Sequence, residues 1–442
     1  MTDGTVNSEV EPSLDSLNFN WSLLDADISL TKAFRSLAES VASWTEGDGL
    51  AAQAALRASL VVAEEIASET RGGDVMLAIQ VERLEILAVL LETGLEEADE
   101  KSVQQLAGFV RIIIESSLFP PIISLRQPLP KIHRPVLRIL FQILQTKADL
   151  ALTGVAEAGT TLSLEVAAIV LDTVIKGARS DDLDLIIGIL CELNKQSFFL
   201  DKLLECGLIG QTFEVISRAR SDEISAVLLF HLSLASQPRS AEALAISGVM
   251  STYCDNPITS AREQGSSFPR AWSGMLMVVK ALLSTLPSAS FARSDVVPFI
   301  RVSTTQVLRA MAGNGETPQN DADVEEMELV VDIFYGLSAV VQGVLQEYAE
   351  PALALLGSLR YTLSHPRQFS TLVITAEEGW DAEFASLEDK AEIGLLDTPI
   401  LSKRTNCLLR ICRTILATLV TFTKALSEDG EMLQVSEYPG QS

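Results

Sequence analysis

Apolar residues recur at helical spacing along almost the whole chain, and turn-forming residues interrupt that rhythm roughly every 15 to 25 positions. This pattern admits an all-α fold and little else, because a strand needs alternation and a sheet needs several strands. The one β-like run is "FSTLVIT" (369–375). The apolar content is mainly Leu, Ala, Ile and Val, and aromatics make up 6%, which suits helix-on-helix packing better than a β-sandwich.

The spacing predicts helices over 25–45, 50–70, 74–94, 100–118, 131–153, 161–178, 181–194, 198–206, 208–219, 222–235, 240–254, 268–286, 294–312, 321–347, 350–363 and 401–427. Ser180 ahead of Asp181 and Asp182 reads as an N-cap, and Asp323 with Glu326 as a capping box. Residues 1–18 are acidic and polar and read as a disordered segment; "FPPIISLRQPLPKIHRP" (119–135) reads as an extended crossing. Residues 312–323 read as a loop, and 365–402 as a long insertion without sustained period. The expectation for 19–442 is a single helical domain carrying that insertion.

Two stretches share a break. "LLECGLIGQTFEVI" (203–216) turns at Gly207, and "EALAISGVMSTYC" (242–254) turns at Gly248, 41 residues later. In this register Ile189 aligns with Phe230, Leu193 with Leu234, Leu203 with Leu244, Leu208 with Val249 and Ile209 with Met250. The period lies in the roughly 40–47-residue range of armadillo and HEAT units, whose helices stack because none buries its apolar face alone. The fold expected is therefore a superhelical solenoid of armadillo/HEAT-like repeats. Chance agreement between two helix–Gly–helix segments is the competing explanation.

Of 442 residues, 48% are hydrophobic and 21% charged, enough for a large core. The 59 acidic and 33 basic residues give a net charge of −26, which repels nucleic-acid phosphates and anionic membranes. Solubility explains such acidity; a partner with basic segments is the sharper alternative. Five scattered cysteines (Cys191, Cys206, Cys254, Cys407, Cys412) lie mostly in apolar helical runs and read as reduced core residues, which points to a cytosolic or nuclear compartment. The run "MTDGTVNSEVEPSLDS" lacks the basic start and apolar core of a signal peptide, so secretion is not expected. The runs 329–345 and 407–422 carry Asp332 and Gln342, or Arg410 and Arg413, and fall short of the ~20 apolar residues of a transmembrane span.

Local catalytic signatures are missing: the sequence has no phosphate loop, HExxH, GxSxG elbow or paired CxxC. His231 reads as a core histidine, while His133 and His365 read as loop residues at the surface. The pairs Glu64–Glu65 and Asp181–Asp182 diverge on a helix and cannot share a site. The expectation is a non-enzyme without metal or cofactor, with a catalytic site of dispersed residues as the minor alternative.

The last helix points to a partner. Leu408, Cys412, Ile415, Leu419, Phe422 and Leu426 form one apolar stripe, and Leu409, Leu416 and Val420 a second beside it. One stripe binds the preceding helix, whereas terminal units of a stack are normally polar outside. Two occupants suit the second: a partner helix in a groove, or the 365–402 insertion folded over it.

Three stretches, "ASETRGGDVMLAIQVERLEILAVLLE" (67–92), "FPRAWSGMLMVVKALLSTL" (268–286) and "FSTLVITAEEGW" (369–380), resemble the C-terminal tail region of the fungal large inner-ring scaffold nucleoporins, in particular the nucleoporin 188 class. The sister nucleoporin 192 class shares the architecture, and the choice between them stays open. The resemblance covers most of the chain through packing patterns. It implies a structural, non-catalytic role in the nuclear pore complex at the nuclear envelope, supporting protein and mRNA transport. It also implies binding of a helical segment of a linker nucleoporin, contact with Phe-Gly repeats, and a monomer in isolation. Those proteins are several times longer, so on this reading the chain is a C-terminal piece, and whether Met1 is a native start stays open. A cytoplasmic armadillo/HEAT-type adaptor is the competing function.

Overall fold

The computed structural model describes residue 35 and residues 49–72, 77–95, 98–116, 131–146, 149–260, 269–312, 321–340, 348–364 and 409–418. Among these residues every regular element is a helix. The chain divides into two compact units, Met1–Thr212 and Phe213–Ser442. The expectations for 1–18, for most of the proline-rich crossing, for the loop around 313–320 and for the 365–402 insertion lie outside the described residues.

The first unit holds α1 (Gly49–Gly72), α2 (Leu77–Gly94), α3 (Glu100–Ile114), α4 (His133–Leu144), α5 (Asp149–Ile175), α6 (Leu183–Leu193) and α7 (Phe199–Glu205). Each helix packs against the next but one: α1 on α3, α3 on α5 and α5 on α7, with α2 on α4 and α4 on α6. Sequence neighbours pair as well, α1 with α2 and α5 with α6. The helix α3 illustrates the cause. Asp99 takes an extended N-cap conformation and accepts the Ser102 amide at 3.2 Å, a bond that holds its carboxyl below the usual carboxylate range. Val103, Leu106, Ala107, Val110, Ile113 and Ile114 then fall on one buried face, and full burial of an aliphatic side chain contributes about 1.5–3 kcal/mol.

Close helix pairing in this unit depends on Gly94. A Cβ there would lie 2.8 Å from the Leu56 backbone nitrogen and 3.1 Å from its Cα. Backbone cannot swing aside, so Gly94→Ala is expected to destabilise by about 1–3 kcal/mol through overpacking. Gly108, inside α3, has nothing within 4 Å of such a Cβ, and Gly108→Ala is expected to stabilise by up to about 1 kcal/mol through helix propensity. Thermal melts of the two variants should therefore move in opposite directions.

Several sequence expectations are corrected here. The break expected between 153 and 161 is absent: the helix ends at Leu144 and α5 runs unbroken from Asp149 to Ile175. Gly159 does not end it, because its missing side chain admits Leu140, whose Cδ2 would stand 2.7 Å from a Cβ. The unbroken stretch Leu152–Ile175 is the one helix among the described residues long and apolar enough to cross a membrane by length and composition, and 61% of its most apolar window is buried within the protein. Ser180 does not cap the first turn as expected: the next helix begins at Leu183, and Ser180 Oγ accepts only the Asp182 amide at 3.4 Å. Asp182 instead meets Arg134 at 3.2 Å. His133 is buried at the start of α4, away from the surface position its loop context suggested.

Helix α8 (Leu208–Arg218) carries the division between the units. The second unit continues with α9 (Ser221–Ala235), α10 (Pro238–Ile246), α11 (Val249–Asp255), α12 (Pro257–Ser260), α13 (Pro269–Thr285) and α14 (Ala289–Phe291). A π-helical turn (Ala292–Val296) leads into α15 (Val297–Val302), followed by α16 (Thr304–Ala312), α17 (Asp321–Val340), α18 (Ala349–Ser364) and a helix over 409–418, here α19. Helix α13 lies between α9 and α17, and α16 packs on both α17 and α18. The single helix expected over 294–312 is split at Ser303. The Ser303 hydroxyl donates to Phe299 O at 2.7 Å, a carbonyl that also accepts the Ser303 amide at 3.0 Å, and the Thr304 hydroxyl donates to Arg301 O at 2.7 Å, so side-chain hydroxyls bond to carbonyls on the N-terminal side of the break.

All ten positions aligned by the 41-residue register are buried: Ile189, Leu193, Leu203, Leu208 and Ile209 in one copy, and Phe230, Leu234, Leu244, Val249 and Met250 in the other. Gly207 and Gly248 both take left-handed backbone, with φ of 68° and 92°, and each follows the C-cap of a short helix, as such glycines do. Gly177 (φ 81°) does the same after α5, where the Ala178 amide reaches Thr173 O.

Candidate interaction surface

The site residues expected from sequence lie on α19. Its buried side is made by Ile411, Ile415 and Thr418, and Cys412 is half-buried. Arg410 ties the helix to α17, donating from Nη2 to Glu328 Oε2 at 2.6 Å. Leu409 and Leu416 stand on the opposite side, 38% and 50% exposed. Val420, together with Leu408, Leu419, Phe422 and Leu426, lies outside the described residues. Leu409 and Leu416 are seven residues apart and thus share a face after two turns, with exposed Arg413 between them. Sequence reasoning placed Cys412 on the inner stripe and passed over Ile411, which is 1% exposed. Apolar residues occupy so much of this helix's circumference that the spacing alone could not orient it.

Exposed apolar side chains continue nearby in sequence. On α18, Leu355 and Leu359 are buried while Leu353 and Tyr361 are exposed, and Tyr335 is exposed on α17. Helix α17 is held from the other side by a polar cluster. Glu326 accepts the Trp272 indole N–H at 2.7 Å and a two-pronged pair from Arg309 Nη2 at 2.8 and 3.0 Å. Glu326 is therefore a tie between α13, α16 and α17, in place of the capping-box partner expected from its distance to Asp323.

No group of three or more His, Cys, Asp or Glu residues arranged for a metal occurs among the described residues. Burial pushes the thiols of Cys254 and Cys412 up from the ordinary cysteine value, which makes them poor nucleophiles. Cys206 is exposed and Cys191 and Cys254 half-buried, so none of these is the core cysteine that the apolar context suggested. His231 is the core histidine expected. Its Nδ1 lies 2.9 Å from the Tyr253 hydroxyl, and its ring meets Phe213 edge-on at 5.5 Å. The ring series continues through Tyr253, Phe299 and Trp272.

Burial lowers the His231 pKa from 6.5 to about 3. The folded pKa lies below the unfolded one, so the unfolded chain binds the extra proton, and the stability from neutral His231 is full above pH 6.5 and lost as pH falls toward 3. Between those values the loss approaches about 1.4 kcal/mol per pH unit. Denaturant titrations at pH 6.5, 5.5 and 4.5 should show a steeper fall for the wild type than for His231→Gln, which keeps a polar partner for Tyr253 and does not titrate.

Comparison with known protein families finds no match, and comparison with curated proteins finds none either.

Proposed function

We propose that this chain is a structural scaffold module of the nuclear pore inner ring, a solenoid of armadillo/HEAT-like units that holds a helical segment of a linker nucleoporin on its last helices. Support for the stack comes from helices that pack on the next but one and from two turn glycines in left-handed backbone 41 residues apart. The observation that carries the binding role is the outward pair Leu409 and Leu416 on a helix whose other side is buried. Two leucines at i and i+7 are anchors for the helix-in-groove mode. Placement at the nuclear envelope, contact with Phe-Gly repeats and a part in protein and mRNA transport follow from the sequence resemblance. This reading assigns the chain no catalysis, metal or cofactor.

The test is capture by the tagged chain from nuclear-envelope and cytosolic extracts, read by mass spectrometry. Recovery of inner-ring components is the expected result. A cytosolic client recovered without them would replace this function with that of a cytoplasmic adaptor.

A further inference from the structure

Helix α19 is locally basic in a chain whose net charge is −26. Residues 409–418 hold Arg410 and Arg413 and no carboxylate, and the sequence from 398 to 427 contains no Asp or Glu. The two arginines differ in their surroundings. Arg410 is committed to Glu328 of α17, with Nη2 to Oε2 at 2.6 Å. Arg413 is exposed and meets no carboxylate among the described residues. It lies four residues after Leu409 and three before Leu416, so the three side chains share the outer face of the helix. At a rise of 1.5 Å per residue the two leucines stand about 10 Å apart along the axis, with Arg413 between them. A helix laid over both leucines takes Arg413 out of water, and a desolvated cation without a partner is costly. A carboxylate between the occupant's own apolar anchors removes that cost through a charge-assisted bond, to which the planar guanidinium can donate twice. A lysine at that position adds repulsion.

We infer that the segment docking on α19 is an acidic amphipathic helix, with apolar anchors on Leu409 and Leu416 and an Asp or Glu between them paired with Arg413. The inference rests on the docking role proposed above for this helix and adds the partner's charge and the residue that selects it. This charge is opposite to the one favoured by the field of the whole chain, which attracts basic segments and repels acidic ones. A preference for an acidic segment therefore reports the local face and not the background.

The experiment is fluorescence anisotropy of two labelled helical peptides of about 20 residues with the full chain at physiological salt. Both carry leucines seven residues apart on one face; one has Glu between them and the other Lys. The wild type is expected to bind the Glu peptide about tenfold more tightly than the Lys peptide. Arg413→Gln should remove that preference and Arg413→Glu invert it, with thermal melts unchanged because the position is exposed. Equal binding of both peptides, lost in the Leu409→Asp, Leu416→Asp variant, would overturn the inference while the docking role of the leucines stands. Binding that the leucine substitutions leave intact overturns both. So does silence of the wild type towards both peptides, which leaves the face to residues 365–402 or to no ligand. Flotation of the chain with phosphatidylserine vesicles, lost in Arg413→Glu, would assign the face to an anionic membrane and overturns the inference as well.

Discussion

Replacing Glu326 with Ala is expected to lower the stability of the second unit by about 2–3 kcal/mol, the largest effect of any single polar change considered. The substitution removes the acceptor of the buried Trp272 indole and the partner of Arg309 together. Loss of one partner of a buried ion pair costs about 3–5 kcal/mol; the value here is lower because Arg309 is 35% exposed and water can solvate it. For a unit of this size the melting temperature should fall by roughly 4–12 °C. Glu326→Gln keeps an acceptor for Trp272 and should lose less. Adding Arg309→Met to Glu326→Ala should recover part of the loss, since no charge is then left unpaired. An unchanged melting temperature for Glu326→Ala would contradict the tie between α13, α16 and α17.

The second large effect concerns binding. Leu409→Asp combined with Leu416→Asp should weaken binding of the helical partner segment at least hundredfold, because each anchor buries an aliphatic side chain worth about 1.5–3 kcal/mol. Melting should shift little, since both side chains are already largely in solvent. Ile415→Asp is the contrasting variant. Its side chain is 2% exposed on the inner face, so a carboxylate there should destabilise the fold itself. Calorimetric titration beside thermal melts separates the two outcomes. A double variant that melts early would mean that Leu409 and Leu416 are packing residues.

The helical class was legible because burial follows the 3.6-residue period, and the glycine register because left-handed turns select Gly. Turn chemistry was less legible where packing prevails over propensity. Gly159 reads as a breaker locally, yet it lies inside α5 to make room for Leu140. Glu326 stands at capping-box distance from Asp323, yet its partners Trp272 and Arg309 come from other helices, and no local pattern announces them. The same holds for Ile411, buried on a helix joined to α17 by the Arg410–Glu328 pair, a tie between distant residues that no local pattern announces. Leu409 and Leu416 were readable as sharing one helix face from their seven-residue spacing, but which face turns outward was not, because apolar residues lie on several sides of that helix.

The most direct test places a photo-crosslinking amino acid at position 416 and irradiates the chain in nuclear-envelope extract. The account predicts a crosslink to a helical segment of an inner-ring linker nucleoporin, lost when Leu409→Asp is also present. Crosslinks confined to residues 365–402 of the same chain, or to a cytosolic protein alone, would contradict it.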